Sequence, residues 1–264
     1  MVMAQSLFKT LKASDPDCVL DVLAPAWSLP IVARMPEVRA GIASETGHGE
    51  IGLRTRRRIA GELRANNYDR AIIMPRSIKA ALIPWFARIP VRTGFRGEFR
   101  YWLINDVRGF DAEKLDQTVK RFVALGLGWN ASFGEIRDPS LRVDKGRQQH
   151  LLADLSLDMT RPVIAMMPGA EYGPAKCWPL EYFADLAERL DSSGYSVWVL
   201  GSDKDIVEGD EISKHGHARN LCGKTELADV IDLLALCERV VSNDSGLMHI
   251  ASAVGTHVHG IYGS

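Results

Sequence analysis

The chain has 264 residues, 46% hydrophobic and 25% charged, with 32 Lys+Arg against 33 Asp+Glu. That composition excludes collagen-like, low-complexity and wholly disordered classes, and a formal net charge of -1 argues against retention on nucleic acid by bulk charge. The length accommodates two domains or one large one.

No apolar run approaches the roughly 18 residues that a membrane-spanning helix needs. The opening MVMAQSLFKTLKASDPD lacks the basic leader, long apolar core and cleavage site of a signal peptide. Cys18, Cys177, Cys222 and Cys237 are scattered without CxxC spacing and read as reduced thiols of a cytosolic protein.

In chain order, Val2 to Lys12 reads as an amphipathic helix through Leu7 and Leu11, closed by the turn-rich SDPD. CVLDVLAP, ended by Pro25, suits a buried strand. RRRIAGELRANNYD reads as a helix, Arg70 to Pro75 as a strand, and SIKAALIPWFARI as a helix broken or kinked near Pro84. Residues 105–160 are more polar, with a helix from about Glu113 to Leu125 and a Gly/Asn/Asp/Pro-rich connection, GLGWNASFGEIRDPS. A second series then begins: strand PVIAMMPGA, a helix ending at Gly194, strand YSVWVLGS, helices in DKDIVEGDEISKH and TELADVIDLLALCE, strand RVVSND, a helix stopped by Gly255, and strand THVHGIYGS. Strands alternating with helices imply parallel βαβ units in an α/β, doubly wound architecture. The division falls near 145–160, giving domains 1–155 and 156–264.

Two segments carry chemistry. In PGAEYGPAKCWP, Gly169 and Gly173 permit close backbone approach after a strand, and Lys176 adds a point charge suited to phosphate. A plain surface loop with a solvated lysine and a packing Trp178 fits the same residues. Neither the GxxxxGK[ST] nor the GxGxxG phosphate-loop pattern occurs there. In VVSNDSGLMHIASAVG, a strand meets a turn at Asn243–Asp244 and a helix opening on Ser245–Gly246, which aims N–H groups above the carboxyl end of a sheet. His249 lies one turn on, on the same face as Ser245; a hydrogen-bonded core histidine is the competing account. GxSxG is absent, which counts against a serine hydrolase.

Together with AQSLFKTLK, DVLAPAW, ARMPEV, NNYDRAIIMPRSIKAALIPWFA and IPVRTGFRGEFRY, these segments make the chain resemble the ADP-heptose:lipopolysaccharide heptosyltransferases over nearly its whole length. The resemblance implies a GT-B fold, two Rossmann-like domains facing a cleft, the first binding acceptor and the second a nucleotide sugar. It implies inverting transfer of heptose from ADP-L-glycero-D-manno-heptose to the lipopolysaccharide inner core, most closely the second heptose, without metal or other cofactor. Alternatives are a GT-B sugar-nucleotide 2-epimerase and a non-catalytic nucleotide-binding remnant. Carried over, Gly169, Ala170 and Lys176 face the donor diphosphate, as do Asp244, Ser245, Gly246, Leu247 and His249 of the D-[ST]-G-L-x-H motif. Asp205 lies near the nucleoside, with a helix-start carboxylate as the other reading, and Gly223 and Thr225 border the nucleotide.

Arg56, Arg57 and Arg58 of LRTRRRIAGELR, with Arg76, Lys79, Arg92 and Arg96, are the expected contacts to the acidic Kdo-lipid A/heptosyl acceptor. A charge run is also what a solvated helix face looks like. The acceptor being a membrane lipid, transient contact with the inner leaflet of the inner membrane is implied for a cytoplasmic protein. The resemblance also sets the family's general-base Asp on a strand and loop before Met1, and further helices after YGS. From this chain as written, weak or absent turnover is expected, since a stand-in for the base such as Glu98 or Asp106 would have to reach the same place and nothing in the sequence suggests that it does. His215 with His217, and His257 with His259, have no completing ligand at a familiar metal spacing and are read as surface or core histidines.

Overall fold

The structure is a computed structural model describing residues 1–45, 52–128, 132–169 and 177–263. The chain divides into two compact units, one built from Met3–Ala33 and Glu37–Asp138, the other from Arg34–Pro36 and Pro139–Ser264. Every strand pairing described is parallel.

The first unit contains α1 (Gln5–Ser14), β1 (Asp21–Pro25), α2 (Leu29–Ala33), β2 (Ala40–Ser44), α3 (Leu53–Arg64), β3 (Arg70–Ile73), α4 (Ile78–Phe86), β4 (Val91–Phe95), β5 (Asp106–Arg108) and α5 (Thr118–Gly126). β1 pairs with β2 from Asp21 opposite Ala40, while β3, β4 and β5 form a second sheet in that order. The core between α3 and α4 is made by Ile59, Ala60, Leu63, Ile83, Ala87 and Ile89. α1 lies so close to the end of α5 that a Cβ on Gly126 would sit 2.5 Å from Leu7 Cδ1.

Two expectations shift here. The helix expected from Glu113 begins only at Thr118, because Asp111 accepts from the Glu113 and Lys114 N–H groups and closes a turn instead. α4 runs through Pro84 and ends two residues later at Phe86, a proline in the last turn costing less than one mid-helix.

The second unit contains α6 (Lys145–Asp154), β6 (Val163–Met167), α7 (Leu180–Ser192), β7 (Ser196–Val199), α8 (Ile206–Ser213), β8 (Arg219–Asn220), α9 (Leu227–Leu234), β9 (Arg239–Asn243), α10 (Gly246–Ala253) and β10 (His257–Ile261). Its sheet has the order β10-β9-β6-β7-β8. All five residues of β6 are buried, as a central strand covered on both faces requires. Phe183 and Ala187, one turn apart on α7, are fully buried against Met166, Val197 and Val199. Each such large side chain contributes about 1.5–3 kcal/mol by leaving water.

α6, assigned by sequence to the domain ending at residue 155, is tied to α9 in this unit. Arg147 pairs with Asp229 at 2.8 Å, and fully buried Asp232 accepts from Asp144 N (2.8 Å) and Arg34 (2.5 Å). No described helix is long and apolar enough to cross a membrane.

Candidate functional site

The order of the second sheet sets the site. From β6 the chain passes through α7 to β7 on one side; from β9 it passes through α10 to β10 on the other. The carboxyl ends of the adjacent strands β6 and β9 therefore part at a switch point, where open α/β sheets bind ligands.

Asn243, the last residue of β9 and fully buried, joins the two banks of that crevice. Its Nδ2 donates to Pro168 O at 2.6 Å, and its Oδ1 accepts from Trp178 N at 3.0 Å. One side-chain amide thus anchors both ends of the segment between β6 and α7. In the sequence alone Asn243 reads only as a turn residue. Ala170, Gly173 and Lys176 lie outside the described residues.

Beyond Asn243, Ser245 stands at the N-cap of α10 with extended backbone (φ -131, ψ 165) but makes no side-chain cap bond. Its Oγ lies 3.1 Å from that of buried Ser242, which donates to Asn243 O at 2.7 Å. The first N–H groups of α10 therefore have no side-chain cap and point with the positive helix end, an arrangement suited to an anionic oxygen. A Cβ on Gly246 would meet nothing within 4 Å, so that face of the first turn is open. Leu247 and His249 are half-buried. Burial holds the His249 pKa below 6.5 against the opposing charge of Asp244, so the ring is neutral near pH 7.

Asp205 packs at the carboxyl ends of β6 and β7. A Cβ on Gly169 would fall 2.4 Å from its Oδ1, and one on Gly201 would fall 2.9 Å from its Oδ2. Its Oδ2 accepts from Ser202 N at 2.7 Å and Ser202 Oγ at 2.8 Å, so it is a helix-start carboxylate as well as a wall of the crevice. Gly223 takes the left-handed φ of +69, and a Cβ there would meet Asp203 and Ile206 at 2.8 Å. Thr225 follows in the same connection; its buried Oγ1 has no hydrogen-bond partner among the described residues.

The basic residues of the first unit divide by what they already hold. Arg56 is buried, donates to Lys79 O at 3.0 Å, and has its pKa lowered by burial. Arg92 sends its guanidinium to the carbonyls of Leu103 (2.7 Å), Ile89 (2.5 Å) and Pro90 (3.4 Å). Both brace the fold. Arg58 pairs with Glu45 and Glu62, and Lys79 is half-buried on α4. Arg57, Arg76 and Arg96 are exposed and rest on aromatic faces: Phe86 at 5.0 Å, Phe110 at 4.7 Å and Tyr101 at 5.7 Å.

Neither Glu98 nor Asp106 is at liberty to stand in for a base. Glu98 accepts from Ile78 N at 2.7 Å at the start of α4. Asp106 holds Arg108 at 2.9 Å and accepts from Thr93 at 2.8 Å. His257 and His259 stack edge-on at 5.0 Å, and His217 pairs with Asp191 at 3.0 Å. Among the described residues no three His, Cys, Asp or Glu side chains gather as a metal site.

A profile of glycosyltransferase family 9 (heptosyltransferase) matches residues 56–264. The chain belongs to glycosyltransferase family 9. It is 44% identical to lipopolysaccharide heptosyltransferase 2 of Salmonella typhimurium, across all of this chain and 79% of that protein. Against the lipooligosaccharide heptosyltransferase 2 of Haemophilus influenzae it is 43% identical, across all of this chain and 80% of the relative. The structure of E. coli ADP-heptose lps heptosyltransferase II superposes with a TM-score of 0.90 at 42% identity, covering 99% of this chain and 81% of that one. The fold is α/β with parallel sheets, as the alternation of elements implies, and of the GT-B type that the resemblance implies. The family profile spans both chemically suggestive regions: the exposed arginines of the first unit and the β9–α10 turn of the second.

Proposed function

We propose that this family 9 chain transfers heptose from ADP-L-glycero-D-manno-heptose, with inversion, to the inner core of lipopolysaccharide, at the step adding the second heptose. The observation that carries the proposal is the β9–α10 turn. Asn243 fixes its approach to the β6 bank, and the N–H groups of α10 lack a side-chain cap. Transfer breaks the bond between the anomeric carbon and the diphosphate oxygen, so negative charge grows on departing ADP. Donors already in place lower that barrier, because they need no reorganisation as charge develops. Ser245, Gly246 and Leu247 supply the helix end, with Asp244 and half-buried His249 beside it, while Gly169 and Asp205 wall the opposite bank. Lys176 and Ala170 join the diphosphate, and Thr225 borders the nucleoside.

Arg57, Arg76 and Arg96, with Arg58 and Lys79 alongside, meet the sugar carboxylates and phosphates of the acceptor. Guanidinium forks suit such anions geometrically. An acceptor anchored in lipid takes a cytoplasmic protein to the inner leaflet of the inner membrane. Relatives matched over the whole chain are named heptosyltransferases, which sets the 2-epimerase alternative aside.

Calorimetric titration with ADP, UDP and ADP-heptose is the first test, followed by heptose transfer to native acceptor lipid. ADP should bind at least tenfold more tightly than UDP; preference for UDP would reject the donor assignment. In the same titration Lys176→Ala should weaken ADP, and unchanged affinity would remove Lys176 from the site.

A further inference from the structure

Arg100 is the most deeply buried arginine among the described residues of the first unit, 1% exposed, and no role in binding follows from its charge alone. What it touches is informative. One terminal nitrogen donates to Pro75 O at 2.7 Å and Ser77 O at 3.0 Å, the carbonyls on either side of Arg76. The other donates to Phe95 O at 2.9 Å, the carbonyl immediately before Arg96. The loops that leave β3 and β4 are thus held by one planar cation, and each carries one of the exposed arginines.

Two neighbours reinforce the brace. Gly97 lies so close to the Arg76 backbone that a Cβ would fall 2.5 Å from Arg76 O and 3.1 Å from Arg76 Cβ. Glu98 accepts from Ile78 N at 2.7 Å, closing the same turn from the other side. The roots of Arg76 and Arg96 are therefore set side by side, and each guanidinium is steadied on a ring, Phe110 and Tyr101 respectively. Fixing two long cationic side chains in advance removes ordering cost that an anionic ligand would otherwise oppose.

We infer that Arg100 is a positioning residue: through the carbonyls of Pro75, Ser77 and Phe95 it aligns Arg76 and Arg96 as a pair that grips an acceptor carrying carboxylate or phosphate groups. This rests on the reading that Arg76 and Arg96 contact the acceptor. Lysine cannot replace Arg100, since an ammonium lacks the planar fork that reaches both loops at once.

The test is titration of the full chain with a deacylated inner-core acceptor bearing sugar carboxylates and phosphates, with ADP titrated in parallel. Arg76→Ala with Arg96→Ala should weaken the acceptor by about tenfold or more, the scale of a lost charge-assisted contact. Arg100→Lys should weaken it by a similar factor, yet by less than twofold when Arg76 and Arg96 are already alanine, with ADP affinity unchanged throughout. A brace with only a structural role would not produce that non-additivity. Should Arg100→Lys fail to fold, Gly97→Ala displaces the same turn with Arg100 intact and should show the same pattern.

If the paired alanine variant binds the acceptor normally, both the acceptor reading and this inference fall. If that variant is impaired but Arg100→Lys or Gly97→Ala binds normally, or their losses add fully to it, the acceptor reading stands and the positioning role is overturned.

Discussion

A single amide at residue 243 does work that neither a shorter nor a charged side chain can repeat. Asn243 donates a hydrogen bond to Pro168 O and accepts one from Trp178 N, so it needs a donor and an acceptor on one flat group. Asn243→Asp keeps the shape but sets a carboxylate oxygen against the Pro168 carbonyl. Affinity for ADP should fall at least tenfold, measured by calorimetry, while Asn243→Ala should fall comparably by freeing both ends of the segment. Equal ADP affinity in all three proteins would mean that the amide serves packing only. The same scale explains why parts of the site were hidden in the sequence. The Asp244–His249 run is contiguous and legible, whereas the partners of Asn243 lie 75 and 65 residues away. Nor does a string of letters tell Arg56 and Arg92, whose guanidinium groups are engaged by backbone carbonyls, from Arg57, Arg76 and Arg96, which stand exposed.

Among elements, those with long apolar runs declared themselves and the short or weakly patterned ones did not. β6 is five buried residues in a row and α10 ends where Gly255 was expected to stop it. β5 has three residues, β8 has two, and β2 has two exposed positions of five, so none offers a hydrophobic period to read. α6 buries only Leu151 and owes its place to Asp144, which caps it by accepting from Arg147 N at 3.0 Å, and to the Arg147–Asp229 ion pair and Gln148–Asp232 hydrogen bond that bind it to α9. α7 shows the opposite case, a stop signal legible from one letter. Gly194 follows the C-cap with φ of +89, a conformation that costs a side chain about 1 kcal/mol. Gly194→Ala should therefore lower the stability of the chain by about that amount in urea denaturation, although a Cβ there would meet nothing within 4 Å. No measurable loss would show that the turn relaxes to another geometry.

For the molecule as a whole, the buried titratable groups define a stability window. His249 has a depressed pKa, so the unfolded chain takes up its proton first as pH falls; stability from this residue is present above 6.5 and declines below it. Carboxylates held low, such as Asp191 beside His217 and Arg161, give stability that is fully present above their ordinary 3.8 and lost only below it, so they do not shape that limb. On the alkaline side, burial pushes the Cys222 and Cys237 thiols up to about 12 from 9.0, so their stabilising effect is lost as pH rises past 9.0. Burial also holds the Met1 amino group below its ordinary 8.0, so stability in thermal melts should be highest between about pH 8.0 and 9.0. His249→Gln should flatten the decline between about pH 6.5 and 5.5, and an unchanged acid limb would assign it to other groups.

The long reach of Asn243 has a bearing on how the protein comes to exist. Its two partners precede it by 75 and 65 residues, and β9 must dock beside β6 before either bond can form. A ribosome delivers the β6 bank of the crevice well before the amide that completes it, and pairings of such sequence separation form slowly. A nascent or half-folded chain therefore lacks the assembled crevice. On the proposed donor reading, ADP captured there would mark closure of the second sheet and hold it shut by mass action.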